Sequence, residues 1–155
     1  MMWKEKGYNL YPDIILSDCT VSEIQVKDNG LVLIFSDYGF IKKDMDNKYY
    51  RTEGAEIVIE GYNNEELFIK EIRTHQLSEE IFFDSMNDIE FEKLLRNVNS
   101  GKWKLEIVEE FYSTGGGVYI CQIRDEEDCF WIYIKMRYRN LIYLWNSIRH
   151  DWSIN

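Results

Sequence analysis

From Lys102 to Ile148 the chain alternates apolar and polar residues with hardly a helix-length stripe, and this confines a long segment to strands. In "KWKLEI" Trp103, Leu105 and Ile107 point one way while Lys102, Lys104 and Glu106 point the other. That period of two is what a half-buried strand requires. Further strands are expected over residues 118–124, 129–138 and 141–148, with "DEED" (125–128) and "RN" (139–140) as the connections. Composition agrees: there is one proline, Pro12, and aromatic residues reach 15%, a bias that fits pleated, half-buried surfaces.

The earlier part of the chain carries its own signals. In "EIQVKDNGLVLIF", Asn29-Gly30 predicts a two-residue hairpin turn, since both central positions favour positive φ. That turn would set Asp28 opposite Leu31, Val26 opposite Leu33 and Ile24 opposite Phe35. "AEIVIEG" (55–61) reads as a strand and "ELFIKEI" (66–72) as its return across "YNNE", while the polar stretch 44–51 reads as a loop. One helix stands out in "NDIEFEKLLRNVNSG". Phe91, Leu94, Leu95 and Val98 form a helical stripe, Asn87 and Glu90 have capping-box spacing, and Gly101 is placed as the stop. A second short turn is expected near residues 78–83.

"FYSTGGGVYICQI" raises the possibility of a phosphate-cradling loop. Such a loop must open a helix, so that backbone N–H groups and the helix dipole meet the anion. Here the glycines open the β-like "VYICQI". No GxxxxGK[ST] is present, and GxGxxG would need glycine where Ile120 stands. The run is read as a bend between strands, with glycines that permit close approach to the backbone.

Pairing across "DEED" sets Ile123 opposite Phe130, Cys121 opposite Ile132 and Tyr119 opposite Ile134. Pairing across "RN" would set Ile134 opposite Trp145 and Met136 opposite Tyr143. That side is the expected core. The other side carries Val118, Ile120, Gln122, Trp131, Tyr133, Lys135, Arg137, Ile142, Leu144 and Asn146. It is either covered in part by the helix, the simpler arrangement, or open to a partner. Trp, Tyr and Arg are enriched at binding hot spots, so Trp131, Tyr133, Lys135 and Arg137 are the candidate contacts. The turn residues Asp125, Glu126, Glu127 and Asp128 join them as an acidic docking element.

The formal net charge is −10. An acidic chain repels phosphate backbones and anionic membrane surfaces, so neither nucleic acid nor membrane is an expected partner. From Trp131 onward Lys135, Arg137, Arg139 and Arg149 stand against the single acid Asp151, so the excess acid lies in residues 1–130. Such a surface suits a basic protein partner. "MMWKEKGYNLYPD" has no apolar run of signal-peptide length, and no stretch approaches a membrane span. Cys19, Cys121 and Cys129 form no CxxC and suggest reduced thiols in the cytoplasm. His75 and His150 belong to no metal or catalytic motif. His150 and Asp151, adjacent on a strand, would point to opposite faces. No carboxylate pair is singled out among many, so no enzyme, metal site or cofactor is expected.

"LSDCTVSEIQVKDNGLVLIFSDYGF" (16–40), with Asp18, Cys19, Ile24, Leu33, Phe35, Gly39 and Phe40, resembles a pattern in small immunity proteins of bacterial toxin–immunity systems. "SGKWKLEIVEEFYSTGGGVYICQI" is similar to later strands of that group. The resemblance implies a cytoplasmic antitoxin that binds a toxin enzyme and blocks it, with structural motif residues. The expectation is therefore one domain over residues 1–155, of α+β class and predominantly antiparallel β-sheet, with about eight to ten strands and one main α-helix packed on the sheet. Its expected function is to bind and neutralise a cognate toxin through an acidic surface. The alternative is a small-molecule-binding β-rich domain with an aromatic-lined cavity.

Overall fold

The computed structural model describes residues 3–28, 30–77 and 80–154, with side chains for all of these but 73–77 and 80–86. The chain runs β1 (Glu5–Tyr8), β2 (Ile14–Ile15), β3 (Cys19–Lys27), β4 (Gly30–Phe35), β5 (Ile41–Lys43), β6 (Tyr49–Glu53) and β7 (Glu56–Glu60). A single 3-10 turn (Asn64–Glu66) leads to β8 (Phe68–Leu77), β9 (Glu80–Asp88) and helix α1 (Phe91–Asn99). The remaining strands are β10 (Lys104–Ser113), β11 (Gly116–Arg124), β12 (Cys129–Arg137), β13 (Asn140–Trp145) and β14 (Ser147–Ile154).

Ten strands form one antiparallel sheet in the order β1-β13-β7-β4-β3-β10-β11-β12-β8-β9, and four form a smaller one, β14-β6-β5-β2. The architecture is the mostly antiparallel α+β class with one helix, as the alternation requires. The large sheet folds over so that its two halves share a core. Ile24, Leu31, Leu33 and Ile59 from one half meet Ile69, Tyr119, Ile134 and Met136 from the other, and Leu94 of α1 closes the end. The space left among these side chains is about 20 Å³, so the interior is filled by side chains.

Helix α1 forms where the stripe predicts. Leu94 and Val98 are buried, with Phe91 and Leu95 packed beside them. Gly101, at φ 82°, takes the left-handed position that ends a helix at low cost, and its N–H donates to Val98 O at 3.0 Å. The expected capping box does not form. Asn87 lies in β9 opposite Glu71, and Glu90, the residue before the helix, makes no side-chain capping bond. Pairing of β9 with β8 holds the chain extended up to Asp88, so Asn87 is too early to cap. Of the turn expected at 78–83, Ser78 and Glu79 lie outside the described residues, and 80–83 belong to β9.

The first hairpin exists with a different register. Lys27 pairs with Gly30, Val26 with Leu31 and Ile24 with Leu33. The strands thus meet one residue earlier on each side than a turn centred on Asn29-Gly30 would place them. Asn29 itself lies outside the described residues. Gly30 is required for another reason: a Cβ there would sit 2.3 Å from Ile59 O of β7. Close approach between strands, not turn conformation, selects this glycine.

Three other pairings differ from expectation. β8 is not the return of β7; it pairs with β12 and β9, while β7 lies between β4 and β13. β13 does not pair with β12 across Tyr138-Arg139, so Ile134 and Met136 do not face Trp145 and Tyr143; it is inserted between β1 and β7. Both sets of side chains are nevertheless buried, because the folded sheet brings both strands to one core. Finally, Tyr49, Tyr50 and Arg51 are strand, not loop, since they pair with Lys43, Lys42 and Ile41 of β5.

The residues of the Asp-Cys and Gly-Phe segments are structural. Asp18 adopts φ 63° at the entry to β3, and Cys19 and Phe40 are fully buried. A Cβ on Gly39 would lie 2.2 Å from Thr52 Oγ1. Thr52 Oγ1 in turn accepts the Phe40 N–H at 3.1 Å.

Candidate functional site

The strands β11 and β12 pair in the expected register, with Cys121 opposite Ile132 and Ile123 opposite Phe130. Their inward residues are buried, and their outward residues join those of β10 and β8 in three cross-strand rows. One row runs Phe111, Val118, Lys135, Phe68. The next runs Glu109, Ile120, Tyr133, Lys70. The third runs Glu106, Gln122, Trp131, Ile72. Helix α1 does not cover this face: it packs on the core side, with Leu94 against Tyr119 and Ile134. Trp131 and Tyr133 are half-buried by their neighbours, and Phe68 and Phe111 remain 49% and 55% exposed. The mixed face expected from sequence is therefore open, and narrower than expected. Ile142 and Leu144 belong to β13 in the other half of the sheet, and Asn146 lies between β13 and β14.

Phe68, Phe111 and Ile72 were not among the sequence candidates. The reason for Phe111 is a bulge between Ile107 and Glu109. One extra residue reverses the alternation, so Glu110 turns inward and Phe111 outward.

The two ends of the face differ in charge. At one end lies the acidic turn. There the Asp125 carboxylate accepts the Trp103 indole N–H at 3.3 Å and the Glu126 N–H at 2.6 Å. Asp128 Oδ1 accepts the Cys129 N–H at 2.8 Å. These two acids organise the turn, while Glu126 and Glu127 are exposed. At the other end Lys135 and Arg137 are exposed, with Arg137 Nε 3.6 Å from Glu66. A groove of about 640 Å³ opens there between Phe68, Phe111, Lys135, Arg137 and the glycine turn. β12 separates Asp128 from Arg137 by about 30 Å at the usual rise per residue. The eight sequence candidates thus fall on one strand and its leading turn, as two charged ends joined by aromatic rows, and not as one cluster.

Gly115 of the glycine run lies in the bend between β10 and β11, while Gly116 and Gly117 begin β11. The run presents no helix N-terminus, and Gly115 takes φ 79° at its tip. Burial pushes the Cys19 thiol up to about 12, against the lowering influence of Arg51, so the thiol stays protonated at neutral pH. Burial raises Cys121 as well. His150 pairs not with Asp151 but with Asp44, Nε2 to Oδ2 at 2.6 Å, an exposed contact that ties β14 to the loop before β6. The His75 side chain lies outside the described residues. Among the described residues no group of three or more His, Cys, Asp or Glu is placed to hold a metal ion. Among the described residues no helix is long and apolar enough to cross a membrane.

A buried polar cluster sits behind the glycine turn. Glu110 Oε2 accepts the Leu16 N–H at 2.6 Å, and Oε1 accepts the Tyr112 hydroxyl at 2.7 Å. The Tyr112 and Tyr119 oxygens are 3.4 Å apart. Burial raises the Glu110 carboxyl above its ordinary value and raises both phenols, which remain protonated.

No protein-family model, curated protein or solved structure matches this chain.

Proposed function

We propose that this chain is an immunity-type protein, acting in the bacterial cytoplasm, that binds a cognate toxin domain and blocks it by occlusion. The observation that carries the reading is the open sheet face. Three of its four strands, β8, β10 and β12, present Phe68, Phe111, Trp131 and Tyr133 outward, and large aromatic side chains are the usual anchors of an interface. The net charge of −10 and the exposed Glu126 and Glu127 favour a basic partner surface. They would raise the association rate more than the affinity. A toxin that acts on nucleic acid fits this chemistry, because its substrate groove must itself be cationic.

The test is co-expression with the toxin-like product of an adjacent gene. The expected result is relief of toxicity and a complex that co-purifies, with an association rate that falls as salt rises. Persisting toxicity together with no complex at low salt would count against the proposal.

A second reading, a domain that holds a small ligand, has one observation in its favour. The filled interior offers no room, but Tyr11, Tyr112, Tyr138 and Tyr143 line a pocket at the rim of the folded sheet.

A further inference from the structure

The open face carries opposite charges at its two ends, and in a chain of net charge −10 the cationic end is the one that needs a cause. Lys135 stands in the row Phe111, Val118, Lys135, Phe68. It is exposed, and it forms no ion pair among the described residues. Arg137, two residues on, has its Nε 3.6 Å from Glu66. Both side chains of that pair are largely in water, so it contributes little, and the other guanidinium donors remain for a further acceptor. Two cations against one carboxylate leave the groove with a surplus of positive charge.

The same groove, of about 640 Å³, is lined by Phe68 and Phe111, the two aromatic side chains of the face that remain about half exposed. A bare anion would meet the charges and leave both rings in water. A carboxylate carried beside an apolar side chain would satisfy both features. The apolar group covers the rings, and the water it excludes strengthens the charge-assisted bonds to Lys135 and Arg137.

At the far end of β12, Glu126 and Glu127 are exposed in the acidic turn. From Cys129, where the turn ends, to Lys135 an extended strand covers about 20 Å. Charges on a protein surface are screened beyond about 8 Å at physiological ionic strength. Each end therefore meets its own counter-charge, and neither cancels the other.

We propose that the partner's surface is bipolar: it carries cations opposite Glu126 and Glu127 and, about 20–30 Å away, an acidic side chain with an apolar neighbour seated between Phe68, Phe111, Lys135 and Arg137. The inference rests on the toxin-binding reading and adds an orientation to it. A uniformly basic partner could meet the acidic turn in many poses, whereas opposite charges at two ends fix the register.

The test measures association of the full chain with the toxin-like product of the adjacent gene, at low salt, by surface-plasmon kinetics. Lys135→Glu is the deciding variant. It makes the chain more acidic, so a uniformly basic partner would associate faster. A bipolar partner should associate several-fold more slowly, with the difference shrinking as salt rises. Lys135→Met keeps the stem, loses the charge and should fall between wild type and Lys135→Glu. Combining Lys135→Glu with Glu126→Lys and Glu127→Lys should add the separate slowdowns as free energies, because the sites are far apart. Phe111→Ala should speed dissociation. Faster or unchanged association of Lys135→Glu, in a complex that still forms, would overturn the proposal and leave the toxin-binding reading standing. Failure of the wild-type chain to form any complex would overturn both.

Discussion

The Asn99 side chain closes two hydrogen bonds on the backbone of Ile24: its Oδ1 accepts the Ile24 N–H at 2.7 Å and its Nδ2 donates to Ile24 O at 2.9 Å. β3 pairs with β10 only over Cys19–Val21. Beyond that point its outer edge turns away from β10, and the last residue of α1 takes the place of the missing strand. Asn99→Ala should destabilise the fold by about 1–3 kcal/mol, the cost of two part-buried backbone groups losing their partners. Urea unfolding with an unchanged m-value is the measurement, and a change within error would show that water replaces the amide without loss.

Two glycines should respond to alanine in different ways. At Gly30 the added Cβ would stand 2.3 Å from Ile59 O, and the β4–β7 pairing would have to shift. A cost of about 1–3 kcal/mol is expected, as for other overpacking changes. At Gly101 the new Cβ would meet nothing within 4 Å, but φ is 82°, and the left-handed backbone costs about 1–2 kcal/mol. Both should lower Tm. Hydrogen exchange should distinguish them, with faster exchange along β4 and β7 in Gly30→Ala only.

Burial lifts the Glu110 carboxyl, while bonds from Tyr112 and Leu16 pull it down without overcoming the burial. A carboxyl raised in the folded state contributes stability that is complete below its unfolded value and is lost as pH rises through the folded value. Glu110→Gln removes that decline. The stability of the variant relative to wild type should therefore improve as pH rises above 4.5, the ordinary value. Denaturant melts across that window would show a constant difference if Glu110 does not titrate there.

Asp44 has the opposite sign. Its hydrogen bond with His150 holds the carboxyl below its ordinary value of 3.8, so its contribution is present above that value and lost as pH falls through the folded one. Asp44→Asn should flatten the acid limb of the stability curve. An acid limb with unchanged slope would mean that the exposed pair is screened.

On the proposed docking face, the charge and aromatic roles should separate kinetically. Glu126→Lys with Glu127→Lys should slow association at low salt and leave Tm near wild type, because neither side chain organises the turn. Asp125 and Asp128 are poor choices for reversal, since their carboxylates hold Trp103, Glu126 and Cys129 in place. Trp131→Ala should instead speed dissociation, with a loss of about 2 kcal/mol or more if it is a hot spot. Surface-plasmon kinetics with the cognate toxin would reveal a mistaken face as two unchanged rate constants.

Much of the fold is legible where local pattern and pairing coincide. The β11–β12 register, the apolar stripe of α1 and the inward set Trp103, Leu105 and Ile107 all follow from short-range periodicity. What the sequence conceals is long-range. The neighbours of β7, β8 and β13 are chosen by core packing across the folded sheet, and nothing local marks them. The bulge at Val108 conceals Phe111, since no residue type there announces the reversal. At Gly30 the glycine is visible and its cause is not, because Ile59 arrives from another hairpin. Trp131, Tyr133, Lys135 and Arg137 are correctly placed on one face by parity alone, whereas the tyrosine pocket joins three segments that no motif connects.

The insertion of β13 between β1 and β7 has a kinetic consequence. Leu141 bonds to Asn9, 132 positions away in sequence, so the seam cannot zip until a very large loop has closed. Chains dominated by such distant pairings pass a high entropic barrier and mature in milliseconds to seconds or slower. Until then the edges of β7 and β1 stand bare, and the nascent chain is at its most vulnerable to sticking to its neighbours.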